Sequence, residues 1–168
     1  MVSIRIRQVN KNDVDGCYRI ESTCYTSDGA TREKILKRIM LFPEGFLIAE
    51  SEGEIIGLIN SASTDKEDIT DEALKDMVGH VKEGRNMVVF SLAVLPEFQR
   101  NGISKQLMVR FIEVSKGLKK EKILLICKSD LIPYSQNFGF FYGGKSKSKH
   151  GGFEWHEMYL LFNAVDEI

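Results

Sequence analysis

Apolar and polar positions along this chain follow two different periods, and the switches between them mark the elements. Residues 3–8 place Ile4 and Ile6 between polar neighbours, the period of a half-buried strand. Val14, Cys17, Tyr18 and Ile20 then recur at helical spacing up to Glu21, with Asn12 or Asp13 as the expected cap. Ser27-Asp28-Gly29 reads as a turn. Thr31 is expected to cap a second helix, with Ile35, Leu36, Ile39 and Met40 on one face and Pro43-Glu44-Gly45 ending it. Two apolar runs, 46–50 and 55–62, flank Ser51-Glu52-Gly53-Glu54, a hairpin signal. Residues 65–85 are charged and polar, with helical character only around 72–78, and read as a surface insertion. Residues 87–95 are almost continuously apolar, as a central strand requires. The pattern then predicts a helix over 103–118 with Ile103, Leu107, Phe111 and Val114 inward, and a buried strand over 122–127. A short helix over 130–138 follows, ended by Gly139. Last come strands over 140–145 and 153–162 around a basic, glycine-rich loop.

This order implies an α/β (α+β) domain: a mixed central sheet with helices on both faces. No repeat or linker interrupts residues 1–168, so one domain is expected. A hydrophobic content of 43% supports a packed core, and a formal net charge of −1 offers no field that would gather nucleic acid. No apolar run approaches the ~20 residues of a membrane span. The first residues lack the apolar segment of a secretion signal. Cys17, Cys24 and Cys127 form neither a metal-binding nor a redox spacing, which fits a reducing compartment. The expectation is therefore a cytoplasmic protein, monomer or homodimer, with no metal, membrane or nucleic-acid partner.

Chemistry concentrates after the central strand, where a polar loop opens directly into a helix. The first amides of a helix have no internal partner and sit at the positive end of its dipole, which suits a phosphate or pyrophosphate. The loop is not a P-loop, and Gly102 stands alone where a dinucleotide fingerprint needs three glycines. Its text, Gln99-Arg100-Asn101-Gly102-Ile103-Ser104, resembles the acetyl-CoA loop Q/R-x-x-G-x-G/A of the GNAT superfamily of N-acetyltransferases. Ser104 replaces the usual Gly or Ala, but it is still small. Further on, the stretch from Cys127 to Phe140, ending Phe138-Gly139-Phe140, resembles the family's closing helix. Asp130-Leu131-Ile132-Pro133 within it is most similar to the arylalkylamine (serotonin) N-acetyltransferase branch.

The resemblance implies a GNAT fold whose sheet is splayed at the cofactor site, and acetyl-CoA as co-substrate. It implies that the backbone of Leu92, Ala93 and Val94 pairs with the pantetheine arm like an added strand. Amides of Arg100, Asn101, Gly102, Ile103, Ser104 and Lys105 would hold the pyrophosphate. The Leu92 amide would face the oxyanion formed as an amine attacks the thioester directly, with no acyl-enzyme. Two family features are displaced or missing. The tyrosine that protonates the departing thiolate lies four residues before the glycine; here that position is Ser135, and the tyrosine is Tyr134. One position is ~100° of helix rotation. The serotonin branch also has His-x-His on the strand before Leu92, where this chain has Val88 and Phe90.

Catalytic candidates are therefore Ser135 or Tyr134 as acid and Glu21 as base, with Glu97 and His80 as lesser bases. Cys24, Tyr25, Phe90 and Ser91 are expected to line the acceptor pocket. Cys24 has no histidine placed to activate it as a nucleophile. His150 and His156 read as structural or solvent-facing, and Lys145, Lys147 and Lys149 as a solvated loop. The expected reaction is acetyl transfer to the primary amine of a small molecule. The alternatives are acetylation of a protein N-terminus or lysine, or a regulatory domain that binds CoA without turnover.

Overall fold

A computed structural model describes residues 3–25, 29–67 and 72–162. The expected turn at Ser27 and Asp28 lies outside them. Along the chain run β1 (Arg5–Gln8), α1 (Val14–Cys24), α2 (Arg32–Leu41), β2 (Leu47–Ser51), β3 (Glu54–Thr64) and α3 (Glu72–Lys75). They are followed by β4 (Asn86–Val94), α4 (Ile103–Gly117), β5 (Lys122–Cys127), α5 (Ile132–Gln136), β6 (Phe141–Lys145) and β7 (His156–Leu161). The strands form one sheet in the order β1-β2-β3-β4-β5-β7-β6. Every neighbouring pair is antiparallel except β4 with β5, so the sheet is mixed as expected. Among the described residues no helix is long and apolar enough to cross a membrane.

The hairpin signal holds for a local reason. Glu52 and Gly53 have φ of 51° and 81°, the two left-handed residues that a tight hairpin turn between twisted strands requires. The first helix departs from expectation in how it is capped. Asp13 holds the N-cap position of α1 as expected but makes no side-chain bond to that helix; Asn10 caps a single 3₁₀ turn ahead of it, its side chain accepting from the Asn12 amide at 3.0 Å. Asp13 closes the reciprocal capping box by accepting from the Asn10 amide at 2.8 Å, and is also held by Arg7, whose fork donates to it at 2.8 and 2.9 Å. Arg7 also reaches Glu50 at 3.3 Å, so one guanidinium ties β1 to α1 and β2.

Helices cover both faces of the sheet. A Cβ on Gly16 of α1 would stand 2.7 Å from Ile55 Cδ1, a close approach that only glycine allows. Leu107 of α4 packs over Gly57 on the other side of a bulge in β3. Ile103, Leu107 and Phe111 are buried as the periodicity predicts, together with Met108; Val114 is half-buried.

The described residues of the segment expected as a surface insertion, 65–67 and 72–85, are mostly exposed but tied to the core at a few points. Leu74 and Met77 are only 2% and 6% exposed. The Val81 amide donates to Ser63 O at 2.7 Å. Lys120 Nζ reaches in to donate to Ser63 Oγ, Lys82 O and Gly84 O at 2.7, 2.8 and 2.6 Å, satisfying all three of its donors. A charged surface sequence is thus anchored by two apolar side chains and one distant lysine. The last strand starts at His156 rather than 153, because Trp155 Nε1 donates to His150 O at 2.8 Å and folds the preceding residues into a turn.

Candidate active site

Pairing between β4 and β5 stops after Val88↔Leu124. β5 continues along β7 to Cys127↔His156, while β4 continues along β3 to Val94↔Gly57. The two strands therefore part, and a cavity of about 950 Å³ opens between them and runs out on both sides. The divergence starts at a bulge: Asn60 faces Ser91 and Ser61 faces Val89, leaving Phe90 as the extra residue of β4. A bulge of this kind twists a strand and re-aims its side chains. Beyond it, Leu95 N–H donates to Ile56 O at 2.9 Å on the β3 side. Alternation then turns the backbone of Leu92 and Val94 toward the gap and that of Ala93 toward β3. Leu92 O accepts from Tyr25 Oη at 3.2 Å. Val94 O accepts from Gln99 Nε2 at 3.0 Å and Cys24 Sγ at 3.4 Å. Cys24 and Tyr25 line the cavity, but their polar atoms are directed at the β4 edge rather than at an acceptor. Leu92 O keeps a second lone pair for a ligand amide, whereas Val94 O already accepts from two donors.

At one end of the cavity lies the start of α4. Arg100 and Gly102 have φ of 66° and 75°, both left-handed, and Gly102 is the N-cap. The first bond closing this helix is Gln106 N to Gly102 O at 3.1 Å, so the amides of Ile103, Ser104 and Lys105 have no partner within it. A Cβ built on Gly102 meets nothing within 4 Å, which leaves open space against the backbone. Arg100 and Lys105 add positive charge at the same rim. Bare amides, a dipole and two cations fit a pyrophosphate. Asn101 does not line the cavity; its side chain donates to Phe98 O and Gln99 O and holds the loop.

Tyr134 and Ser135 both line the cavity, and their hydroxyls diverge. Tyr134 Oη lies 2.6 Å from Ser104 Oγ. The Ser135 hydroxyl sits against the Cys127 thiol, whose pKa is pushed up by burial and partly restored by that contact.

Glu21 is the central acidic group. It is 2% exposed, and Oε1 accepts from Ser91 Oγ at 3.0 Å and from the Ala30 amide at 3.1 Å. Its Oε2 is buried with no hydrogen-bond partner. The other expected bases are elsewhere. His80 accepts from the Ser63 amide at 3.0 Å through Nδ1 and packs on Phe42, and burial lowers its pKa. Glu97 is exposed beyond β4. Neither lines the cavity. The Cys24 thiol is pushed up by burial and by Glu21 and Glu97, which keeps it protonated and unsuited to nucleophilic attack.

Several lining residues escaped sequence reasoning. Arg38 of α2 is 3% exposed, with its guanidinium carbon 4.5 Å above the Phe90 ring. The signal was present: Arg38 falls on the apolar stripe of Ile35, Ile39 and Phe42. His150 and Trp155 line the cavity from the β6–β7 connection, against the expectation that His150 is peripheral. Lys128 Nζ lies 3.6 Å from the Phe153 ring centroid, at the same wall. His156, by contrast, is structural, bonded to Tyr142 Oη at 2.9 Å. Lys145, Lys147 and Lys149 are exposed and none lines the cavity. Among the described residues, no cluster of His, Cys, Asp or Glu could hold a metal.

Residues 14–140 match the model of the Acetyltransferase (GNAT) family. The chain belongs to that family. GNAT enzymes are acetyl-CoA-dependent acetyltransferases, and the split between β4 and β5 is where this member has room for that co-substrate. Two curated proteins are similar to it in sequence. The probable hydrolase YhcX of Bacillus subtilis is 29% identical over 130 residues, covering 71% of this chain but 25% of that protein. Serotonin N-acetyltransferase of Mesocricetus auratus is 27% identical over 139 residues, 80% of this chain and 66% of the relative. The chain thus spans a quarter to two thirds of these relatives. Among solved structures, the loading GNATL domain of CurA from Lyngbya majuscula superposes with a TM-score of 0.83 at 17% identity, covering 95% and 98% of the two chains. Naa50 of Arabidopsis thaliana, solved with a bisubstrate analogue, gives 0.75 at 14% identity over 96% and 100%. Identities this low speak for the fold alone.

Proposed function

We propose that this protein transfers acetyl from acetyl-CoA to the primary amine of a small molecule, by direct attack within a ternary complex. The observation that carries the reading is continuity: one cavity runs from the bare amides of α4, through the β4–β5 gap, to the buried carboxylate of Glu21. Acetyl-CoA, when bound, supplies an activated acetyl thioester. The amides of Ile103, Ser104 and Lys105 hold its pyrophosphate, and the free edge of β4 at Leu92 and Val94 pairs with the pantetheine arm. The Leu92 N–H faces the oxygen on which negative charge develops, a contribution of about 3 kcal/mol in comparable sites.

An ammonium must lose a proton before it attacks. Glu21 takes that proton at Oε2, the oxygen that nothing else occupies, while Ser91 and the Ala30 amide fix the carboxylate through Oε1. Tyr134 is the proton donor to the leaving thiolate, since its hydroxyl lies in the cavity whereas that of Ser135 is spent on Cys127. The serotonin-type branch is supported by Asp130-Leu131-Ile132-Pro133 and by the relative of that name, yet Val88 and Phe90 leave this chain without that branch's histidine pair. A small acceptor is favoured over a protein because α2, α3 and the His150–Trp155 turn all line the far end of the cavity, where a polypeptide would need an open groove. Three free thiols suit a reducing cytoplasm.

The test is release of CoA thiol from acetyl-CoA against a panel of small amines and of peptides. Turnover with small amines supports the reading. Turnover with peptides alone replaces it with protein acetylation. Tight acetyl-CoA binding with no turnover of any acceptor replaces it with a CoA sensor.

A further inference from the structure

Resting on the acetyltransferase reading above, we infer that the acceptor is an amino acid: a primary amine for Glu21, with a carboxylate a few bonds away for Arg38. The argument starts from a buried cation. Arg38 is 3% exposed, and among the described residues no carboxylate is in ion-pair contact with it; Glu21 and Asp76 act on it only through space. Burying a guanidinium with no carboxylate in contact is costly, and burial lowers its pKa by more than Glu21 and Asp76 raise it. Its protein partners are neutral: Nε and Nη2 donate to Lys75 O at 3.4 and 3.2 Å, and Nη1 to Asn60 Oδ1 at 3.4 Å. These use three of five N–H groups and leave one on each terminal nitrogen. Arginine's planar fork is suited to carboxylates.

Position decides what the missing anion is. Arg38 lines the cavity on the acceptor side of the β4–β5 gap, away from the α4 amides that serve pyrophosphate. Lys34 and Lys75 line the same end, each with an acidic partner of its own, Asp76 and Glu72. Arg38 lies over Phe90, and the next residue, Ser91, holds Glu21. The cation and the base are thus served by adjacent residues of β4. A ligand joining them needs an ammonium and an anion close together. That describes a free amino acid, and neither an arylalkylamine nor a polyamine supplies the anion.

The test compares matched acceptors, an amino acid and its decarboxylated amine, such as lysine with cadaverine and phenylalanine with phenethylamine. At least one pair is expected to show about a 100-fold higher kcat/KM for the amino acid, the scale of two charge-assisted hydrogen bonds. In Arg38→Gln that ratio should collapse toward one, through KM for the amino acid. Arg38→Lys, which keeps the charge, should retain part of the preference; it guards against a folding defect, as does melting temperature. Acetyl-CoA binding by calorimetry runs alongside. Amines turned over as well as amino acids overturn this inference and leave the acetyltransferase standing. Preference for peptides with acidic first residues overturns the amino-acid assignment. Acetyl-CoA binding without turnover of any amine overturns both this and the acetyltransferase reading.

Discussion

Replacing Glu21 by Gln isolates the proton-transfer role with little change in shape. The amide oxygen of Gln can keep the two hydrogen bonds that Ser91 and Ala30 give to Oε1, and the NH₂ takes the place of the unpartnered Oε2. Folding should therefore change little, while the base disappears. Losing a positioned base costs typically 10²–10⁴-fold, or about 3–5 kcal/mol of transition-state stabilisation. A second route to the magnitude agrees. Without a base only free amine reacts, and for an amine with a pKa of about 10.4 the free fraction near neutrality is about a thousandth. The variant's kcat/KM should therefore fall about 10³-fold at pH 7.4 and recover about tenfold per pH unit on the alkaline side, converging on the wild type near the amine's own pKa. A pH series of initial rates, with acetyl-CoA affinity measured in parallel, reads this directly. A variant within threefold of wild type at pH 7.4, with unaltered acetyl-CoA binding, would refute the assignment of Glu21.

Other outcomes follow from the same geometry. Gly102→Val should weaken acetyl-CoA binding at least tenfold by calorimetry: the residue has φ of 75°, and a branched side chain would fill the space next to the bare amides. Tyr134→Phe should lower kcat about 10–100-fold, and Ser135→Ala should stay within threefold of wild type in the same assay, because the Tyr134 hydroxyl meets Ser104 at the start of α4 whereas that of Ser135 is engaged with Cys127. Asp13→Asn should cost about 2 kcal/mol, or roughly 4–8 °C in Tm, by weakening the Arg7 fork. Hydrogen bonds from Arg7 hold the Asp13 carboxyl below its usual range. Its stabilisation is therefore complete above the unfolded pKa of about 3.9 and is lost as pH falls below that. The difference in Tm between the two proteins should be full at pH 7 and shrink in strong acid.

How much of this was legible in the sequence depends on whether a feature is local. The Glu52-Gly53 turn, the Ile103–Leu107–Phe111 stripe and the loop before α4 are set by neighbouring residues, and the pattern predicts them. The parting of β4 and β5 is not local. It depends on where two strands whose partners lie 36 residues apart, as Val88 and Leu124 do, stop pairing, and no periodicity carries that. Anchoring of the residues around Lys82 and Gly84 likewise rests on Lys120, far along the chain. Asp13 shows a doubled role: it closes the capping box with Asn10, as its propensity suggests, and also receives a bidentate arginine from β1 that no local pattern announces. Arg38 was readable in part, as a charge on an apolar stripe, but its role needed the Phe90 bulge beneath it and the cavity beside it. Tyr134 and Ser135 differ by one residue in sequence, and only their partners, Ser104 and Cys127, separate them.

The most direct test of the central claim is a calorimetric titration of the wild-type protein with acetyl-CoA, followed by amine addition and thiol detection in the same sample. The account predicts saturable one-to-one binding, with Kd on the order of micromolar to sub-millimolar, competition by CoA, and thiol release once the amine is present. No binding heat at saturating acetyl-CoA would mean that the open start of α4 and the β4–β5 gap do not form a CoA site, and the proposed function would fall with them.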